Sequence, residues 1–247
     1  MSFSLEFGEK INENEKNNLI IDNTKFDKAI IDFKKYILNE EYLQAQWQMN
    51  FGEKITMLYL LDKIKPEISI EIGTQYGGSL KPISDYSRYV YAFDYFHDKV
   101  DKSSFSNVNF ITGNSRITVP KIINNLNESK LNLEFVLIDG DHSSEGVKTD
   151  IENILKYEPQ KPLYILIHDS FNPIVRSGIL KAHWNTCPYI HFVDIDFLHG
   201  TVFKNSYQLW EGLTLALMLP EKRKSLLSIS KSQETLFNLV NKFLNHN

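Results

Sequence analysis

The stretch EISIEIGTQYGGSL (67–80) sets an apolar run directly before a turn rich in glycine. The run is bounded by Pro66 and Gly73, and it reads as a buried strand. The turn that follows narrows the choice of ligand. A dinucleotide fingerprint G-x-G-x-x-G uses its second glycine to bring the backbone up to a pyrophosphate, and that position here is Gln75. A phosphate-cradling P-loop ends in Gly-Lys-Ser/Thr, whereas this turn ends in Gly78-Ser79-Leu80. What is left is a wider turn, with Gly73, Gly77 and Gly78 giving a ligand room against bare backbone. Glu71 would repel a pyrophosphate and suits a ligand bearing an ammonium or sulfonium charge.

Working outward, the chain alternates strands and helices. Apolar strands are expected at 67–73, 89–94, 108–113, 133–140 and 162–170, with helices through about 86, around 118–126 and over about 143–157. Such alternation means parallel pairing with helices on both faces. Segments 189–197 and 212–219 are two further strands with no helix between them, which predicts an antiparallel pair. Before the first strand, Asn50 and Glu53 form a capping box for a helix whose stripe is Met57, Leu58, Leu61 and Ile64. Residues 25–46 carry a helical spacing of Phe26, Ile30, Phe33 and Ile37, after a polar lead-in over 8–24. This divides the chain into an N-terminal lead-in and helix (1–49), one ligand-binding domain (50–220) and a C-terminal helix (221–247).

The chain of 247 residues carries a net charge of −4 and has no basic stripe, so a nucleic-acid partner is not expected. No apolar run is long enough for a membrane helix, and the N-terminus lacks the pattern of a signal peptide. The lone Cys187 suits a reducing, cytoplasmic setting and has no activating base near it in sequence.

Ligands of open parallel sheets bind at the carboxyl ends of the strands. Those ends are polar throughout: Glu71-Ile72-Gly73, Asp94, Gly113-Asn114-Ser115, Asp139-Gly140-Asp141-His142 and His168-Asp169-Ser170. Turn and cap duties account for Ser143 and Ser170, and less well for the whole edge. Asp94 lies 23 positions past Glu71, where an acid accepts hydrogen bonds from ribose hydroxyls. A ribose acid without a pyrophosphate turn points to S-adenosylmethionine.

The motifs EIGTQYGGS, YAFD, ITGNS, LIDGDHSSEGVKTDI and ILIHDS resemble those of the class I S-adenosylmethionine-dependent methyltransferases. The last two resemble the branch of macrocin-type sugar O-methyltransferases and the proteins labelled cephalosporin hydroxylases. The resemblance spans roughly residues 50–220. It implies an α/β, Rossmann-like, doubly wound seven-stranded sheet of order 3-2-1-4-5-7-6 with the last strand antiparallel. It also implies that Glu71, Gly73, Thr74, Gly77, Gly78 and Ser79 line the methionine end of the cofactor. Asp94 then holds the ribose, Asn114 and Ser115 lie by the adenine, and Asp139 faces the transferred methyl. Related catechol-type enzymes bind a divalent cation with acids at the ends of strands four and five, and the matching positions are Asp139, His168 and Asp169. Mg²⁺ prefers an all-oxygen site, whereas an imidazole suits Mn²⁺, Fe²⁺ or Zn²⁺. The other reading is that His168 is hydrogen-bonded at the sheet edge and Asp169 caps a turn.

His142 is the candidate general base, oriented by Asp139 or Asp141, because imidazole titrates near neutrality. Tyr76, Tyr95, Phe96, His97 and Phe171 fall at the same edge and could wall an acceptor site, with His199 and Trp210 as part of a lid. The expected reaction is O-methylation of a small-molecule or sugar hydroxyl. The rivals are a nicotinamide-dependent oxidoreductase and a non-catalytic binding or assembly module. The helices before residue 66 could cover the cofactor, contact the acceptor or form the face of a homo-oligomer.

Overall fold

The structure, a computed structural model, describes residues 39, 42, 45–203, 206 and 208–245. The polar lead-in, nearly all of the helix expected over 25–46 and the expected absence of a signal peptide lie outside the described residues. One compact unit spans 41–247.

The first helix among the described residues, α1 (Phe51–Ile64), starts where the sequence places it. Asn50 Oδ1 accepts from the Glu53 amide at 3.0 Å and Glu53 Oε2 accepts from the Asn50 amide at 2.7 Å. Met57, Leu58 and Leu61 are buried, and the helix ends at Lys65 in a left-handed conformation just before Pro66. Strands β1 (Ile68–Ile72), β2 (Tyr89–Asp94), β3 (Val108–Thr112), β4 (Leu133–Ile138) and β5 (Leu163–His168) then alternate with α2 (Leu80–Tyr86), α3 (Ser115–Glu128) and α4 (Ser144–Ile154). β1 is buried at every residue, and β4 and β5 at all but one each. That explains why β4 and β5 read as near-continuous apolar runs, while β1 alternates in sequence yet buries its Ser69 and Glu71 as well.

After β5 come α5 (Pro173–Lys181), β6 (Ile190–Leu198), a hairpin of β7 (Thr201–Phe203) and β8 (Gln208–Trp210), and β9 (Leu213–Met218). A two-residue strand β10 (Ile229–Ser230) and helix α6 (Glu234–Asn245) finish the fold. The main sheet runs β10-β6-β9-β5-β4-β1-β2-β3, with β9 antiparallel to both β5 and β6. The expected seven-strand order is therefore present, and β10 adds an eighth strand at the edge. Residues 221–233 are loop and strand rather than helix, so the C-terminal helix starts later than the expected 221.

Besides β10, a helix and a hairpin go beyond the sequence reading. α5 begins at Asn172-Pro173, where Asn172 Oδ1 accepts from the amides of Ile174 and Val175. An Asn cap followed by Pro at the first helical position is a start signal in its own right. The β7–β8 hairpin has strands too short to show a period. Among the described residues no helix is long and apolar enough to cross a membrane.

Candidate active site

The strand ends meet in a cleft of about 1050 Å³, large enough for a cofactor and a second molecule. Gly73, Thr74, Gln75, Gly78 and Ser79 line it from the first turn, Asp94 from β2, Ser115 from α3, Asp139, Asp141 and His142 from the β4 loop, and His168 and Asp169 from β5. Gln46 to Met49 and the hairpin residues Phe203, Ser206 and Trp210 close the other side.

Asp94 anchors the turn that faces it. Its Oδ2 accepts from the amides of Thr74 at 2.9 Å and Gln75 at 2.8 Å, and Gln75 is held at φ 45. Among the described residues only the Phe96 amide reaches Oδ1, at 3.4 Å, which leaves that oxygen available to a ligand hydroxyl. Ser115 is the first residue of α3, and Asn114 caps the helix by accepting from the Arg116 amide at 3.0 Å.

Three placements differ from the sequence reading. Glu71 does not line the cleft. It is fully buried one layer below, accepts a 2.6 Å hydrogen bond from Ser79 Oγ, and leaves Oε2 without a hydrogen-bond partner among the described residues. Burial pushes its pKa up to about 8, against the bond from Ser79, so at neutral pH it is a neutral acid and offers no carboxylate to an ammonium. Gly77 and Asn114 also lie off the cleft surface. The glycines make room for backbone rather than directly for ligand. A Cβ on Gly73, which sits at φ +92, would come within 2.0 Å of the Asp139 carbonyl oxygen, and one on Gly78 within 2.4 Å of the Gln46 carbonyl oxygen. Gly73 thus lets the β1 and β4 turns touch, and Gly78 lets the 46–49 segment lie over the site.

The raised Glu71 pKa has a consequence for stability. The folded state binds this proton more tightly than the unfolded chain, so the contribution is complete below about pH 4.5 and is lost as pH rises to about 8. Glu71→Gln keeps the acceptor for Ser79 and removes the ionisation. Its melting temperature is expected to exceed that of the native chain at pH 8.5, by an amount worth a few kcal/mol, and to match it near pH 4.5. Equal pH dependence of the two proteins in thermal melts would refute this.

The ionisable centre comes from the β4 and β5 ends. Asp139 Oδ1 lies 3.1 Å from His168 Nδ1 and 3.3 Å from His142 Nε2. Asp169 Oδ2 lies 3.5 Å and 3.3 Å from the same two ring nitrogens. Burial works against ionisation of Asp139, but the two imidazoles outweigh it and hold its pKa at about 2. The hydrogen bond to Asp139 raises the pKa of His142. Burial lowers the pKa of His168, yet Asp139, Glu53 and Asp169 outweigh it and carry the value well above that of an ordinary imidazole. Asp169 moves upward because it is buried. Asp141 does not orient His142. It accepts from the Ser143 amide at 2.8 Å and pairs with Arg116 at 3.3 Å.

Asp139, His168 and Asp169 offer one donor atom each, all within 4.8 Å of one another. Two carboxylates and an imidazole form a donor set that fits a divalent transition ion. The expected caps and edge bonds also exist, since the Asp169 carbonyl accepts from the Asn172 amide and Asp169 Oδ1 accepts from the Glu211 amide at 2.7 Å.

Of the aromatic residues expected at this edge, Tyr76, Tyr95 and Trp210 line the cleft. Trp210 meets His142 edge-on, with ring centres 5.8 Å apart. Phe96 is exposed, His97 is buried against Phe110, and Phe171 is buried against Phe237, so none of the three walls the site. His199 does not line it either.

No family model matches this chain, and no curated protein matches it. Solved structures do match. A cofactor-bound structure of Rv0187 from MTB aligns at a TM-score of 0.52 and 14% identity, over 87% of this chain and 100% of that one. An O-methyltransferase from Bacillus cereus in complex with SAH aligns at 0.54 and 14% identity, over 77% of this chain and 97% of that one. The fold is the Rossmann-like methyltransferase fold. At such identities the likeness extends to the fold and not to the activity. Within a methyltransferase fold of this kind, residues 46–49 and the β7–β8 hairpin are the parts of this chain that give the cleft its second wall.

Proposed function

We propose that this chain is an S-adenosylmethionine-dependent methyltransferase that acts on a hydroxyl group of a small molecule. The observation that carries the reading is Asp94. It closes β2 with one oxygen fixed to the glycine turn and the other facing a cleft at the carboxyl ends of the strands. The SAH-bound relative of the same fold supports the choice of cofactor. In this reading Gly73, Thr74, Gly78 and Ser79 receive the methionine end, Asp94 the ribose and Ser115 the adenine side. Glu71 acts from below by fixing Ser79.

The chemistry is an in-line displacement. The acceptor oxygen attacks the methyl carbon, the carbon–sulfur bond breaks, the sulfonium becomes a neutral thioether, and the hydroxyl proton passes to His142. Holding the two reactants in line supplies much of the barrier lowering, on the order of 7–11 kcal/mol in favourable cases. Asp139 fixes the His142 ring through its 3.3 Å contact. Asp139, His168 and Asp169 would hold a divalent ion of the Mn²⁺ type, and when bound it would lower the pKa of a coordinated hydroxyl.

The lining also bears on the acceptor. Asp94, Asp139, Asp141, Asp169 and Glu211 face the cleft, and no described lining residue is a lysine or an arginine. That charge balance disfavours phosphorylated or carboxylated acceptors and suits a neutral or amine-bearing polyol. Together with the sequence resemblance to macrocin-type enzymes, it supports a sugar or natural-product hydroxyl.

Calorimetric titration with S-adenosylhomocysteine, with NADH as control, tests the cofactor. Micromolar binding of the adenosyl ligand alone is expected. Asp94→Ala is expected to weaken it about 100-fold, the loss of charged hydrogen bonds at one carboxylate. Preference for NADH, or undiminished binding in the variant, would overturn the reading.

A further inference from the structure

We infer that Glu53 is a positioning residue of the candidate metal centre, the carboxylate that fixes His168 for a divalent transition ion. The inference rests on the metal-assisted form of the function proposed above. In sequence, Glu53 is only the third residue of a helix and half of a capping box. In the structure it is completely buried, and its two oxygens serve three elements. Oε2 caps α1 through the Asn50 amide at 2.7 Å. Oε1 accepts from the Gly212 amide, 159 residues away, at the start of β9. Oε2 also faces His168 Nε2 at 3.5 Å, and that nitrogen is sealed from solvent with no closer partner among the described residues.

The two ring nitrogens of His168 thus look in opposite directions. Nδ1 faces Asp139 and Asp169 in the cleft, and Nε2 faces Glu53 behind it. Histidines that ligate metals commonly donate their second N–H to a carboxylate, which fixes the ring, the tautomer and the basicity of the ligating nitrogen. A helix cap alone explains neither why the Glu53 carboxylate lies against His168 nor why it reaches Gly212. The other half of the box takes part in the same clamp, since Asn50 Nδ2 donates to Glu211 Oε2 at 3.1 Å. The Glu211 amide in turn donates to Asp169 Oδ1 at 2.7 Å. The start of α1 is therefore bonded to the loop that supports one of the three candidate ligands, and its Glu53 stands behind a second.

The test separates helix stability from positioning. Glu53→Gln keeps the size of the side chain and an acceptor for Gly212 but loses the carboxylate. Tyr59→Gly, at an exposed position of the same helix, weakens α1 by roughly 0.5 kcal/mol and leaves Glu53, Asn50 and their bonds in place. Mn²⁺ is titrated into each protein, loaded with S-adenosylhomocysteine, and followed by electron paramagnetic resonance. Glu53→Gln is expected to bind Mn²⁺ about 10–100-fold more weakly than the native chain, with Tyr59→Gly within about threefold of native. Nucleotide affinity is expected to hold in both variants. Should Glu53→Gln fail to fold, Zn²⁺ titration of native protein labelled with ¹⁵N-histidine gives the answer, with the metal shift expected at Nδ1 of His168 and the proton retained at Nε2. Undiminished Mn²⁺ binding in Glu53→Gln, equal losses in both variants, or a metal shift at Nε2 would overturn the inference. Nucleotide binding without Mn²⁺ or Zn²⁺ binding would overturn it and leave the methyltransferase reading standing. Failure of the native chain to bind the nucleotide would remove that reading itself.

Discussion

Replacing His142 with alanine is expected to slow methyl transfer by about 10²–10⁴-fold, the usual contribution of a positioned general base. S-adenosylhomocysteine affinity is expected to stay within about twofold of native, because the groups proposed to hold the cofactor, Asp94 and the glycine turn it anchors, make no bond to this ring. The expectation is geometric first. His142 Nε2 is placed by two carboxylates at 3.3 Å each and by the edge of Trp210, on a cleft that the acceptor must enter. The same contacts predict the sign of the pH dependence. The Asp139 hydrogen bond raises the imidazole pKa, so the proton-accepting form gains population, and turnover climbs, as pH rises through and beyond the ordinary imidazole range. Initial rates on an acceptor found by screening neutral and amine-bearing polyols, read as S-adenosylhomocysteine released, measure both effects. A variant with native turnover would mean that the proton leaves by another route.

Much of this molecule is legible in its sequence, and particular residues show where legibility ends. Strands β1, β4 and β5 announce themselves because both their faces are buried, and each runs into a polar residue, Glu71, Asp139 or His168. Parallel pairing and the polar edge follow from that pattern, whereas the order of the sheet comes from the resemblance to the methyltransferase motifs. What sequence does not carry is distance across the fold. Glu53 reads as a cap, because the spacing to Asn50 is local, while its contacts to Gly212 and His168 depend on how α1 docks. Glu71 reads as a cofactor ligand, because its place at the strand end is right, but side chains alternate along a strand and this one points into the layer beneath. Gly73 and Gly78 read as room for a ligand, whereas the atoms a Cβ would strike belong to Asp139 and Gln46. Trp210 reads as a lid residue and does line the cleft, carried there by the β7–β8 hairpin.

Arg176→Ala is expected to cost about 3–5 kcal/mol of stability, the penalty for leaving one partner of a buried ion pair alone. In a chain of this length that corresponds to a fall in melting temperature of roughly 10 °C. Arg176 and Asp196 are both almost fully buried, joined by contacts of 2.6 Å and 3.3 Å that pair the two ends of the guanidinium with the two carboxylate oxygens. Such a pair contributes little net stability against an apolar replacement, because both ions give up their water, but either ion alone is costly. The double variant Arg176→Met with Asp196→Leu is therefore expected to recover part of the loss. Recovery is incomplete because Asp196 Oδ2 also accepts from the Gln233 amide at 2.8 Å, just before α6. The effect reaches the cleft through packing. The guanidinium lies 4.5 Å from the centre of the Phe237 ring on α6, and Phe237 meets Phe171 edge-on at 5.4 Å. Phe171 lies two residues beyond Asp169, and its amide is bonded to the Glu211 carbonyl. Loss of Arg176 is thus expected to loosen α6 first and the Asp169–Glu211 loops second. Hydrogen exchange would show it as faster exchange of the amides at 171 and 211 in the variant, with β1 and β4 unchanged. A melt within 2 °C of native, or uniform exchange across the sheet, would show that the pair does not link the C-terminal helix to the site.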